Sequence, residues 1–85
     1  PVAVVQSPER DLTLKLWTDR PGLQFYNGVY TDIPVPGLSG KHYGNHSGFC
    51  LEDQDFPDSV HHSHFPSTIY WPGKDYSHWC EIEIA

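Results

Sequence analysis

Chemistry in this chain can begin at Glu52. It closes the strand-like run Gly48-Phe49-Cys50-Leu51-Glu52, and the acid-rich stretch Asp53-Gln54-Asp55-Phe56-Pro57-Asp58 follows it. A carboxylate at the end of an apolar strand is held rigidly by its scaffold while staying open to a ligand, as a general base must be. The same residue reads equally well as a solvated or salt-bridged acid at a strand end. Alternation puts Cys50 and Glu52 on one face of that strand, with Phe49 and Leu51 on the other. Upstream, Leu23-Gln24-Phe25-Tyr26-Asn27 reads as a short aromatic strand, with Gln24 and Tyr26 sharing a face. Gln24 can donate and accept hydrogen bonds at once, or simply face solvent from an edge strand. A carboxylate, an amide and nearby rings together suit a sugar, whose hydroxyls need acceptors and donors and whose faces stack on aromatic groups.

Other chemistry-bearing groups carry less. Glu52, Asp53, Asp55 and Asp58 form an acidic cluster, but calcium loops interleave acids with Gly and Asn in a tight turn, whereas Phe56 and Pro57 interrupt this one. His61, His62 and His64 form a His-His-x-His run without the spaced Cys/His pairs of a zinc site elsewhere in the chain. Lys41 and His42 lie in a loop and read as solvated residues or ligand contacts. No Ser/His/Asp or Cys/His constellation is evident, and no Gly-rich phosphate loop follows a strand. No metal and no cofactor is expected.

The elements that would position Glu52 and Gln24 are strands. Val2 to Gln6 is β-branched and ends at a polar, Pro-containing turn, Ser7-Pro8-Glu9-Arg10. Asp11 to Thr18 then alternates, Leu12, Leu14 and Leu16 against Thr13, Lys15 and Trp17, as the second arm of a hairpin would. Asp19-Arg20-Pro21-Gly22 is a turn. From Gly28 to Asn45, Pro34, Pro36, Gly37, Gly40 and Gly44 break every apolar run, which predicts a long loop. A second loop covers Ser59 to Pro66. Ser67 to Trp71 reads as a strand closed by the turn Pro72-Gly73-Lys74-Asp75, and Tyr76 to Ile84 as a final strand with Cys80 on its buried face. Cys80 is expected to be a reduced, buried thiol, and a bridge to Cys50 would require their strands to be neighbours. The expectation is all-β, with about six antiparallel strands and long loops.

Composition bounds the functions. The chain has 85 residues, a net charge of −6 and only five Lys and Arg, which argues against nucleic acid and against an anionic membrane surface. No apolar run approaches the length that spans a bilayer. Two thiols and the lack of a signal-peptide pattern point to a cytoplasmic setting. A chain this short buries only about 60–65% of its unfolded surface, and two cysteines permit one staple at most, so a partner or a larger fold is expected.

Read together, several words become specific. Pro21-Gly22-Leu23-Gln24-Phe25-Tyr26-Asn27-Gly28, Gly40-Lys41, His46-Ser47-Gly48-Phe49-Cys50-Leu51-Glu52-Asp53-Gln54-Asp55-Phe56-Pro57-Asp58, Phe65-Pro66-Ser67 and Pro72-Gly73 occur in this order. They resemble the C-terminal part of the aldose 1-epimerase family from about Asp11 to Tyr76. The resemblance implies the last strands of a galactose-mutarotase-like antiparallel β-sandwich (supersandwich). Residues 1–85 would be one part of a single domain, incomplete without an upstream segment. It implies interconversion of the α and β anomers of hexoses such as galactose and glucose, without a cofactor. Glu52 occupies the position of the family's general base, and Gln24 that of a residue contacting the sugar.

The departures from the family pattern set further expectations. The family's acid is a His on an upstream segment, as are an Arg, a second His and an Asp that touch the sugar, and none of the six histidines here aligns with those positions. The 85 residues alone are therefore expected to be inactive, and a complementary upstream mutarotase chain is the expected partner, alongside a hexose substrate. A non-catalytic carbohydrate-binding or structural subunit is the alternative. Asp53 stands where the family word commonly has Thr, adding a negative charge beside Glu52, and the Ile33 to Ser39 loop is Pro-rich where the family's connection is Gly-rich.

Overall fold

A computed structural model describes all 85 residues, which form five strands and two short 3-10 turns, with no α-helix. The strands are β1 (Ala3–Gln6), β2 (Thr13–Thr18), β3 (Gly22–Tyr26), β4 (Cys50–Gln54) and β5 (Cys80–Ile84). They make a three-stranded sheet in the order β1-β2-β5 and a two-stranded sheet of β3 with β4. The chain separates into two compact units, residues 1–22 with 53–85, and residues 23–52.

In the first unit, the turn after β1 is stapled by Ser7. Its hydroxyl donates to Asp11 Oδ1 at 2.7 Å and accepts the Leu12 amide at 3.1 Å, a side chain replacing the ladder where the chain reverses. The antiparallel registers Ala3↔Leu16↔Ile82 and Val5↔Leu14↔Ile84 gather six apolar residues on one face. Leu16, at its centre, is 2% exposed, the one fully buried large side chain. Ile82 and Ile84 on the outer strand stay 57% and 62% exposed. On the other face Lys15 stands opposite Glu83 and its ammonium reaches the carboxylate at 2.9 Å, an exposed pair of small energetic weight.

A polar knot holds the end of β2, the start of the unit's second segment and the approach to β5. Thr18 Oγ1 donates to Asp53 Oδ2 at 2.6 Å, and His78 Nε2 hydrogen-bonds to the same oxygen. His78 Nδ1 lies 3.3 Å from the Tyr76 hydroxyl. Arg20 sits beside this group with its side chain 11% exposed. It meets Asp19 at 3.0 Å and Asp55 at 4.0 Å, donates to the Ser77 carbonyl at 2.6 Å, and lies over the Tyr76 ring at 5.3 Å. The Thr18 hydroxyl, and after it His78, hold the Asp53 carboxyl below the usual carboxylate range. Arg20 does the same for Asp19, and Asp19 in turn raises the guanidinium's already high value.

In the second unit, Gly28 and Gly48 fix the mouth of the long loop. Gly28 has φ +76°, and a Cβ there would stand 2.1 Å from the Gly48 carbonyl oxygen, so only glycine fits. The loop between them is an ordered excursion. Ile33 N donates to Tyr43 O at 2.9 Å, Gly37 N to Lys41 O at 2.8 Å, Asn45 Nδ2 to Val29 O at 2.7 Å and His46 N to Gly28 O at 2.8 Å.

Three sequence expectations need correction. The run Ser67 to Trp71 is not a strand; only an isolated bridge joins Trp71 to Lys74. Lys74 explains this, because its ammonium takes the Ile69 carbonyl at 2.9 Å and lies 4.9 Å over both the Tyr70 and Trp71 rings, folding the segment onto its own turn. The final strand is shorter than Tyr76 to Ile84, since the polar knot and turn contacts occupy the residues before Cys80. Cys80 is exposed, not buried, because the register sets it opposite Thr18, where the apolar stripe ends in the polar knot. Both thiols are free, and β5 pairs with β2. Desolvation, and then Asp53's charge, push the Cys80 thiol up, which keeps it protonated at neutral pH.

Two consequences can be measured. In urea unfolding of the folded protein, Leu16→Ala should cost about 2–5 kcal/mol, and Val4→Ala, at a 59% exposed position, only about 0.5 kcal/mol or less. Equal losses would show that the sheet face around Leu16 is not the core. The acid carboxyls give the second. A carboxyl held low when folded stabilises the fold above its unfolded value of about 3.9, and that stability fades as pH falls through the folded value. Stability should therefore fall as pH drops below about 4, and Asp53→Asn should flatten part of that fall. An unchanged acid slope in the variant would contradict the role of the Asp53 charge.

Candidate functional site

β3 and β4 form a two-stranded ribbon, and the chain approaches itself closely near each end of it. A Cβ on Gly22 would lie 3.3 Å from the Gln54 carbonyl, and one on Gly28 would lie 2.1 Å from the Gly48 carbonyl. The Phe25 and Phe49 rings meet, so alternation leaves Gln24 and Tyr26 of β3 together with Cys50 and Glu52 of β4 on the other face. Gln24, Tyr26, Cys50 and Glu52 thus line one face, while Leu23, Phe25, Phe49 and Leu51 line the other. The Phe25 and Phe49 rings meet on that second face, 6.2 Å between centroids.

The sequence places Glu52 at a strand end. The structure places it in the middle of β4, because β4 begins at Cys50 and runs on through Asp53 and Gln54. Gly48 does not join the strand: it lies against Gly28 at the loop mouth. Mid-strand placement fixes the Glu52 backbone on both sides. Its side chain is exposed and enters none of the chain's ion pairs. Gln24 is also exposed, and its amide Nε2 donates to the Phe25 carbonyl at 3.2 Å, leaving its Oε1 without a partner in the chain. Beside them the Tyr26 hydroxyl accepts the Tyr30 amide at 2.8 Å.

The acids thought of as a cluster do not act as one. Alternation sends Asp53 to the face opposite Glu52, where Thr18 and His78 take its carboxylate. Asp55 turns to Arg20, and Asp58 is taken by the histidine loop. His61 Nδ1 hydrogen-bonds one Asp58 oxygen, and His62 Nε2 the other at 3.1 Å. His64 packs edge-on to Phe65, with centroids 4.5 Å apart. A shallow depression of about 210 Å³ lies along this loop, lined by Ser59, Val60, His62, Phe65 and Ile69 among others. In the loop of the second unit, His42 Nε2 lies 3.3 Å from Asp32 Oδ1, with both side chains well exposed.

The network that sequence reasoning misses is Thr18–Asp53–His78–Tyr76. Its members lie far apart in the chain, 35 residues from Thr18 to Asp53 and 25 from Asp53 to His78, so no local motif marks it. The one hint is the Asp at position 53 itself.

The ribbon face can present a carboxylate and an amide to neighbouring hydroxyls, the carboxylate accepting and the amide doing both. Glu52 can take a proton from a hydroxyl seated there.

Comparison with known proteins bears on this directly. The family model described as aldose 1-epimerase matches residues 1–83. Galactose mutarotase of Bos taurus is 45% identical over 74 residues, covering 85% of this chain and 22% of that protein. The Homo sapiens galactose mutarotase is 42% identical over the same length and shares. Aldose 1-epimerase of Escherichia coli strain K12 is 34% identical over 84 residues, 96% of this chain and 24% of its own. The chain thus spans less than a quarter of the length of these relatives. With the family model matched over nearly its whole length, the chain belongs to the aldose 1-epimerase family.

Proposed function

We propose that the protein carrying this segment interconverts the α and β anomers of a hexose such as galactose or glucose, with Glu52 as general base and Gln24 as a sugar contact. What supports this reading is that Gln24 and Glu52 are both exposed on the same face of the β3–β4 ribbon. The family and its relatives' names supply the reaction class.

Anomer exchange needs two proton transfers in each direction. Glu52 takes the proton from the anomeric hydroxyl as an acid protonates the ring oxygen, and the bond between the anomeric carbon and the ring oxygen breaks. The aldehyde rotates about its bond to the next carbon. Glu52 then returns its proton to the carbonyl oxygen as the former acid removes the proton from the attacking hydroxyl, and the ring closes on the other face. The base must lie about 2.6–3.2 Å from the hydroxyl it deprotonates. Gln24, on the same ribbon face as Glu52, can hold an adjacent hydroxyl so that the anomeric one stays aligned.

The acid in this reading is a His outside these 85 residues, supplied by an upstream segment or by a complementary chain. The three-stranded sheet supports such a complement. Its apolar face leaves Ile82 and Ile84 more than half exposed, a face for further family strands to cover.

Polarimetry of freshly dissolved α-D-galactose with the full-length protein tests the reading. Glu52→Gln should lower kcat by roughly 10²–10⁴-fold with the fold intact, the range a positioned general base supplies. Gln24→Ala should raise KM by about tenfold, the loss expected of one hydrogen bond near a charged partner. Full activity in Glu52→Gln would assign the base elsewhere. No acceleration over buffer by the folded wild-type protein would leave a non-catalytic carbohydrate-binding or structural role.

A further inference from the structure

We infer that Asp53, clamped by Thr18 and His78, is a positioning residue that sets the strand backbone carrying Glu52. This inference rests on the proposed role of Glu52 as base.

A two-stranded ribbon is only marginally stable by itself. Glu52 has no ion-pair partner to hold its side chain, so its placement comes from its backbone. A catalytic group needs to be held within about 0.5 Å of its working position. On one side β4 is held by β3. On the next residue, Asp53 is fixed by two hydrogen bonds to one oxygen, from Thr18 Oγ1 at 2.6 Å and from His78 Nε2. Its side chain is 15% exposed and the His78 ring 30%, so the clamp lies near the surface, partly shielded from water. His78 donates from Nε2, because the Asp53 carboxylate can only accept, and the Tyr76 hydroxyl lies 3.3 Å from its other nitrogen and helps orient the ring.

Alternation gives this arrangement its logic. Consecutive strand residues point to opposite faces, so Asp53 can be tied down on one face without occupying the face where Glu52 works. An anchor one residue from the base restrains its Cα while leaving its carboxylate free. Thr at this position, the residue common in the family word, could offer one hydroxyl but not a charge-assisted acceptor for two donors.

The test combines two readouts on the full-length protein. Asp53→Ala and His78→Ala should each lower kcat by roughly 10- to 100-fold while KM stays within about twofold, the pattern of a misplaced base with intact sugar binding. His78→Gln, whose amide can still donate to Asp53, should recover most of kcat, which a merely structural histidine would not predict. Amide hydrogen exchange supplies the second readout, independent of turnover. Asp53→Ala should speed exchange across Cys50–Gln54 by at least roughly tenfold, the scale of a lost charge-assisted hydrogen bond, and leave Ala3–Gln6 unchanged. Unchanged exchange at Cys50–Gln54 overturns the clamp whatever the activity. Faster exchange with full kcat overturns its positioning role, and so does a His78→Gln variant as impaired as His78→Ala. If Asp53→Ala does not fold, His78→Ala and His78→Gln carry the same comparisons. A folded wild-type protein that does not epimerise removes the base reading, and exchange still decides whether Asp53 holds β4.

Discussion

At Gly28 the backbone turns through a positive φ with the Gly48 carbonyl oxygen so near that no side-chain carbon could stand between them. That approach closes the end of the β3–β4 ribbon, where the side-chain period of two means that a slip of one residue would send every side chain to the wrong face. With the register as it is, Gln24 and Glu52 share a face and the Phe25–Phe49 pair closes the opposite one. A slip of one residue would put Leu51 or Asp53 where the Glu52 carboxylate stands. The loop of residues 29–47, however long, begins and ends at this one pinch point, and its own hydrogen bonds keep its length from loosening the ribbon.

The first unit is held differently. Apolar burial is thin, with Leu16 alone fully enclosed, and much of the order comes from hydrogen bonds around Asp53, Arg20 and their neighbours. Few of these groups are deeply buried, so each ion pair contributes little alone and the network matters more than its members. The exposure of Ile82 and Ile84 on an otherwise apolar face sets this sheet apart from that of a finished domain, where such residues are normally covered.

Much of this was legible in the residues. The β1–β2 hairpin follows from β-branched residues, a polar turn and the Leu12-Leu14-Leu16 alternation, and the β3–β4 faces follow from alternation alone. The all-β, antiparallel class follows from the same patterns. Strand ends were less legible, because they depend on partners distant in sequence: β4 continues to Gln54 because Gly22 and its neighbours lie alongside, and no local pattern encodes that. The Ser67 to Trp71 run has the composition of a strand, yet Lys74 captures the Ile69 carbonyl and the aromatic faces that a neighbouring strand would have used. The acidic run looked like a shared binding site because it is contiguous in sequence. Alternation and separate partners disperse it. Glu52 stood out through its word, whereas Asp53 gained meaning only once Thr18 and His78 were brought to it.

The position of β5 has a consequence for how the first unit assembles. β1 and β2 meet across a short turn, a local contact of the kind that forms within about 1–10 μs. β5 must reach β2 over nearly the whole length of the segment, as the Lys15–Glu83 pair, 68 residues apart, makes plain. Closing so long a loop is an entropic cost met only when the last strand is present, so contact order places the docking of β5 late and makes it the slow step. The hairpin can therefore form before β5 reaches it, with one edge of β2 unpaired until β5 docks. Over that interval the open edge can recruit the wrong strand, and the charged pair at Lys15 and Glu83 helps select the right one.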